Sequence, residues 1–331
     1  MALLQRSTRT VALAASIGVA FALTACGGDD PFEEDNDGTT PAVSSDPSEG
    51  SGSTGGDITV GGAGFTEMLI MQRIYAAVLT DAGYTVEVLS VENRETYAPS
   101  LESGEIDVVP DYAAAYTEYF NLDENPDAET VSSSDVDETI TALRGFAEPR
   151  GVTVLEPSEA ADADAFFVTE DFATENDVTT LSDLAALGQP VVLAAAPECP
   201  ERTFCQLGLE ETYGLDIEVV PLGYGSLETK EAVKNGEAQL GQSGTTDGTL
   251  AAEGLVLLED DLGLQLAQNL TPLVNSETLA EHPDIEEILD GVSAALTTEI
   301  LADLNQRVDA DRELPEDVAS DFLTEAGLIG G

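Results

Sequence analysis

Two short stretches put carboxylates, hydroxyls and a phenol where they could handle a ligand. Asp111-Tyr112 closes the apolar run 106–109, and Ser243-Gly244-Thr245-Thr246-Asp247-Gly248 follows the short segment 238–240. A carboxylate or a tyrosine face suits a cationic group. Asp164 is a further candidate of this kind, while Lys230 and Arg202 could pair a ligand carboxylate. Covalent catalysis lacks its parts, because a serine or cysteine nucleophile needs a positioned base. The single histidine, His282, stands before Pro283 at a predicted helix start, which reads as surface. Paired carboxylates of the glycosidase kind are compatible with residue counts, since acids are everywhere. No catalytic residue, cofactor or metal site is assigned, and the chain does not read as an enzyme.

The elements that must position these residues alternate between strand-like and helix-like segments, the pattern of α/β architecture. A strand at 58–60 runs into Gly61-Gly62-Ala63-Gly64, and a helix over 66–82 ends at Gly83, a suitable C′ glycine. A strand at 85–89, a helix at 95–102 stopped by Gly104, and a strand at 106–109 follow, then a helix at 136–147 and a strand at 152–155. A comparable unit recurs: strand 191–194, helix 204–213, strand 218–221, helix 227–235 stopped by Gly236, strand 238–240. Ser103-Gly104-Glu105-Ile106-Asp107 and Asn235-Gly236-Glu237-Ala238-Gln239 both read helix, glycine stop, short strand. In open α/β sheets ligands sit outside the carboxyl ends of strands, so the loops that follow are candidate contacts and a cleft lies between two lobes. The tail is helical over 276–279, 283–296, 299–308 and 315–326, with Pro315 suited to a first turn.

The N-terminus says where the chain works. Arg6 and Arg9 precede an apolar segment over 11–22, and Leu23-Thr24-Ala25-Cys26 resembles a bacterial lipobox. Residues 1–25 are then a signal peptide, and Cys26 becomes the lipidated N-terminus of a protein held outside the cytoplasmic membrane. The apolar run falls short of the roughly 20 residues of a spanning helix. Residues 26–56 read as a disordered acidic Gly/Ser linker, too poor in apolar groups to offset its ordering entropy. Eleven basic residues, two of them in the signal, stand against 65 acidic ones. Nucleic-acid binding is excluded, because phosphate contact needs a basic face. With Cys26 lipidated, Cys199 and Cys205 form a close pair that reads as a disulfide in an oxidising exterior. The acidity itself reads as adaptation to a salty exterior, as steering of a cationic solute, or as a merely solvated surface.

Several motifs, in order and at similar spacing, carry a resemblance. They are Gly61-Gly62-Ala63-Gly64-Phe65-Thr66-Glu67, the stretch from Ser103 to Tyr112, Gly208-Leu209-Glu210-Glu211-Thr212-Tyr213-Gly214, Thr245-Thr246-Asp247-Gly248, and Leu304-Asn305-Gln306-Arg307-Val308-Asp309. Over about 58–329 the chain resembles the substrate-binding lipoproteins of osmoprotectant ABC importers, which capture glycine betaine, choline, carnitine and related quaternary amines. The resemblance implies a two-lobe periplasmic-binding-protein-like fold of type II, its ligand cleft between lobes joined by two crossing segments. Lobe I would comprise 57–160 and 265–331, and lobe II 161–264. It implies a ligand site at Phe65, Thr66, Glu67, Met68, Asp111, Tyr112, Ala115, Asp164, Lys230, Thr245, Thr246 and Asp247. Tyr112 stands at a cage-tyrosine position, but the family's glutamine is Met68, and three further cage positions hold Asp164, Lys230 and Gln268. The expected ligand is therefore an osmoprotectant of this class or another small polar or cationic solute. The expected partners are a membrane ABC permease and the lipid bilayer, with the protein acting as a monomer. Use of the same fold as a sensor for a membrane receptor is the other reading.

Overall fold

Two five-stranded sheets of the same strand order organise the chain. The structure is a computed structural model and describes residues 55–91 and 93–330. The signal 1–25, Cys26 and nearly all of the linker 26–56 lie outside the described residues. The chain begins with β1 (Asp57–Ala63), α1 (Thr66–Asp81), β2 (Thr85–Val91), α2 (Arg94–Ser103), β3 (Val108–Tyr112), α3 (Ala113–Glu124), α4 (Val136–Ala147) and β4 (Val152–Val154). It continues through β5 (Asp164–Thr169), α5 (Glu170–Asn176), α6 (Leu181–Ala186), β6 (Val191–Ala195), α7 (Gln206–Tyr213), β7 (Ile217–Pro221), α8 (Leu227–Lys234), β8 (Leu240–Gly244) and β9 (Leu255–Leu258). It ends with β10 (Leu270–Asn275), α9 (Ser276–Glu281), α10 (Asp284–Ala295), α11 (Thr298–Asp309) and α12 (Pro315–Glu325).

The sheet orders are β2-β1-β3-β10-β4 and β7-β6-β8-β5-β9. In each, the first three strands are parallel and the fourth runs against the third. The first core joins Val60, Ile70, Ile74 and Val108 to Leu289, Leu301 and Leu323 of the C-terminal helices. The second gathers Phe166, Leu193, Leu209 and Leu240 around the buried Cys199 and Cys205, which are disulfide-bonded with Cα atoms 5.2 Å apart.

The repeat legible in the sequence has a physical basis. Gly104 and Gly236 take φ of 78° and 73°, a left-handed conformation that glycine enters without a Cβ penalty. Three residues on, Asp107 and Gln239 each close a reciprocal pair with the neighbouring strand. Their N–H groups donate to Thr59 O (2.9 Å) and Val192 O (3.0 Å). In return Thr59 N donates to Asp107 Oδ2 at 2.7 Å, and Val192 N to Gln239 Oε1 at 3.0 Å. These pairs occupy the segments expected to be strands at 106–109 and 238–240, so β3 and β8 start two residues later. Asp111, Tyr112, Ser243 and Gly244 consequently end strands and do not lie in loops.

The chain passes between the sheets twice, from β4 to β5 and from β9 to β10, and the two segments run antiparallel. Ala161 bridges Asn269, Leu270 N donates to Ala160 O (2.9 Å), and Asp162 N donates to Gln268 O (3.1 Å). Thr245 fastens this ribbon to β8: its hydroxyl donates to Ala161 O at 2.6 Å and accepts from Ala163 N at 3.0 Å. Among the described residues no helix is long and apolar enough to cross a membrane.

Candidate functional site

Gln72 pins the loop that leaves β1. It is fully buried, donates to Ala63 O at 2.8 Å and accepts from Ser90 Oγ at 2.6 Å. Gly62 makes room for it: a Cβ there would fall 2.8 Å from Gln72 Nε2, at a φ of 154° that disfavours side chains. This delivers Phe65, Thr66 and Glu67 at the first turn of α1. Opposite them stand the end of β8 with the turn 245–249 and the Tyr224-Gly225 loop, while α11 contributes Asn305, Gln306 and Asp309. Asp162 enters from the first crossing segment. Together these residues enclose a cavity of about 430 Å³ between the lobes.

Its chemistry is that of a carboxylate cluster. Glu67, Asp162, Asp247 and Asp309 line it, and Lys230 is the ammonium among the lining residues. Glu67 is buried and accepts from the Tyr112 hydroxyl and, at 2.6 Å, from Asn305 Nδ2. Burial, then the Asp162 charge, pushes its carboxyl up to about 7, against hydrogen bonds from Tyr112, Asn305 and Thr246. Burial likewise raises Asp162, and the charge of Asp164 adds to that, while Thr246 opposes it. Lys230 is buried, not a solvated surface lysine. Its Nζ lies 2.7 Å from Asp247 Oδ2 and donates to Thr249 Oγ1 at 2.6 Å. Burial alone would raise the Asp247 carboxyl, but hydrogen bonds from Lys230, Ser243 and Thr249 outweigh it and hold it below the usual range. Asn305 ties the two lobes together through Glu67 and, at 3.3 Å, Thr246 O.

The expected site residues divide. Phe65, Thr66, Glu67, Lys230, Thr246 and Asp247 line this cavity. Met68, Asp111 and Tyr112 face a neighbouring hollow of about 230 Å³ beside Arg94 and Tyr97, which Phe65 also borders. Asp164 and Thr245 line a larger groove of about 790 Å³ between β5, β9 and α11, which Asp247 also reaches. Ala115 lines none of these spaces, and its N–H donates to Gln268 Oε1 at 3.1 Å.

Asp111 also departs from the role its sequence position suggests. It is buried and grips Arg94 through two bonds of 2.9 and 2.5 Å, with Tyr97 donating a third. This carboxylate is thus committed inside lobe I, where it anchors the start of α2. Sequence reasoning missed Asp162 and Asn305 as site residues. Asn305 lay within a motif that carried the resemblance, but nothing local marked it as facing a cavity. Among the described residues no cluster of three histidines, cysteines or acids could hold a metal ion.

A cleft between two lobes of one topology, lined by acids and flanked by the ribbon that joins them, is the geometry of a solute receptor. Residues 56–325 match the family described as the substrate binding domain of the ABC-type glycine betaine transport system. The chain belongs to this family. Its members are substrate-binding components of ABC transporters and not enzymes. The chain is 28% identical over 285 residues to the glycine-betaine-binding protein of Pseudomonas aeruginosa, covering 82% of this chain and 88% of that one. It is also 28% identical to the glycine betaine-binding protein YehZ of Escherichia coli over 282 residues, 82% of this chain and 90% of that protein. The solved structure of apo YehZ superposes with a TM-score of 0.73 at 24% identity, covering 82% of this chain and 99% of that one. A glycine betaine/carnitine/choline ABC transporter structure gives the same TM-score at 19% identity, with the same two coverages. These likenesses establish the fold as that of a two-lobe, type II periplasmic binding protein.

Proposed function

We propose that the protein is the extracytoplasmic receptor of an ABC importer. It captures a small ammonium-bearing osmolyte, of the class that includes glycine betaine, choline and carnitine, and hands it to the membrane permease. The observation that carries this reading is the interlobe cavity with four carboxylates on its wall and its one lysine already paired. Lipidated Cys26 and the linker 26–56 keep a monomer at the membrane surface, close to the permease. Lobe I takes 57–160 with 265–331, lobe II takes 161–264, and the antiparallel crossing ribbon is the hinge. A ligand touching Glu67 on one lobe and Asp247 on the other biases that hinge toward the closed form that a permease can recognise.

Isothermal calorimetry on residues 57–331 with glycine betaine, choline, carnitine, ethanolamine and dimethylglycine tests this. Saturable one-to-one binding of at least one of these is the expected result. Heat of dilution alone for all five, with no rise in melting temperature, would overturn the ligand assignment and leave the fold untouched.

A further inference from the structure

The turn after β8 borders a second space besides the solute cavity, the groove of about 790 Å³ between β5, β9 and α11. Gly248 stands between the two. It lines both, and it packs so closely on α11 that a Cβ would fall 2.0 Å from Ala302 O. One bank of the groove is the second sheet, through Phe166, Leu255 and Leu258. The other is α11, which presents Thr298, Ala302 and Gln306 at helical spacing while its Leu301 and Leu304 pack into the first core. The groove therefore lies between the lobes, where small-molecule pockets are common, and its volume falls in their usual range of roughly 300–1,000 Å³.

Its lining differs from that of the solute cavity. The floor is hydrocarbon, with Phe166, Leu250, Leu255 and Leu258 buried and Val256 more open at 37% exposure. Six acids and no basic residue line it. Three of the acids are committed elsewhere. Asp164 accepts from Tyr224 and Gln242, Asp247 pairs with Lys230, and Asp260 accepts from the Tyr213 hydroxyl and the N–H groups of Leu264 and Gln265. The other three are Glu259 on the sheet bank and Glu299 and Asp303 on α11. They are exposed and enter no ion pair among the described residues. An apolar floor between carboxylate banks complements a molecule with a hydrocarbon body and a cationic end. A peptide added as a strand is disfavoured. β9 has four residues, and its end is already paired, with Glu259 N donating to Thr179 O and Leu181 N to Glu259 O, both at 3.0 Å.

We propose that this groove is a second binding site, distinct from the solute cavity, for an amphiphilic organic cation. The hydrocarbon part lies on Phe166, Leu255 and Leu258, and Glu259, Glu299 and Asp303 flank the cationic end. Burial of the chain supplies affinity, and the carboxylates supply selection for positive charge. The site does not depend on which solute fills the neighbouring cavity.

Octylammonium, octanol and octyl sulfate share one chain and differ in charge. Calorimetry of each against the protein, below its micelle-forming concentration at pH 8 and low salt, is the test. The expected result is saturable one-to-one binding of octylammonium, about tenfold tighter than octanol, as three exposed carboxylates imply, and no binding of octyl sulfate. Val256→Arg puts a resident guanidinium in the groove and should weaken octylammonium by about tenfold or more. Glu299→Gln combined with Asp303→Asn, at exposed positions that the fold does not need, should bring octylammonium close to octanol. Octanol or octyl sulfate binding as tightly as octylammonium would overturn the selection for a cation, and no binding of octylammonium would overturn the site. Octylammonium binding unchanged in both folded variants would put it elsewhere, the solute cavity included, and would equally remove the groove. The receptor reading is tested separately, by the titrations of small osmolytes.

Discussion

Glu67 is the residue on which charge, burial and lobe contact meet. The unfolded chain releases its proton near 4.5, whereas burial and the Asp162 charge hold that proton to about 7 in the folded protein. Between these values the folded state binds more protons, so stability falls as pH rises through the window, by on the order of 3 kcal/mol. Below 4.5 that loss is absent. Glu67→Gln keeps an acceptor for Asn305 and an N–H for the Tyr112 oxygen without a charge to bury. Melting curves from pH 5 to pH 8 should therefore flatten in this variant, and an unchanged slope would move the effect to other acids. Binding a cation has the opposite sign. It favours ionised Glu67 beside Asp162, so affinity should be higher at pH 8 than at pH 6. Titrations in buffers of different ionisation enthalpy should show proton release on binding near pH 7. Thr246 and Asp247 were legible because they follow a strand, and Glu67 because it stands in a motif that carries the family resemblance. Asp162 and Asn305 were not legible: one is a coil acid among many acids, the other a polar residue on a helix whose cavity face exists only once the lobes meet.

The elements follow the sequence where glycine ends a helix and at Pro315, which opens α12. Gly104 and Gly236 marked the ends of α2 and α8, and both central strands follow them. Nothing in the sequence reading anticipated α3, α5, α6, β5, β9 or β10. Pro110 and Pro272 stand opposite each other in the β3–β10 ladder. Neither has an N–H to give, so they form a non-hydrogen-bonded pair, a register no single-strand pattern reveals. The turn after β8 depends on a glycine for a different reason. A Cβ on Gly248 would fall 2.0 Å from Ala302 O on α11, and a helix carbonyl cannot yield as a side chain can. Gly248→Ala should wedge lobe II away from α11 and weaken ligand binding about tenfold or more, by loss of close packing at the interface. Small-angle scattering of the variant should give a larger radius of gyration, and wild-type scattering with wild-type affinity would refute the wedge. The disulfide acts within lobe II alone. Replacing Cys199 and Cys205 together by serine releases a loop of sequence separation 6, worth about 2 kcal/mol of chain entropy, which urea unfolding should register as a lower midpoint.

At the scale of the whole molecule the formal charge is −54, and it acts on stability and on binding with opposite signs. Repulsion among exposed carboxylates raises the energy of the compact state, and the same field draws a cation toward the cleft. Both effects are screened, since the Debye length shrinks from about 10 Å at 0.1 M salt to about 3 Å at 1 M. Raising sodium chloride from low to molar concentration should therefore raise the melting temperature while lowering the association rate of an ammonium ligand. The buried Lys230–Asp247 contact is screened far less, so the fall in affinity should reside in the on-rate, with dissociation nearly constant. Stopped-flow association followed across the same salt series as the melts separates the two. A melting temperature that does not move with salt would show that the acidic surface is merely solvated. A salt-independent on-rate beside a rising melting temperature would keep the role in stability and discard the steering of a cationic solute.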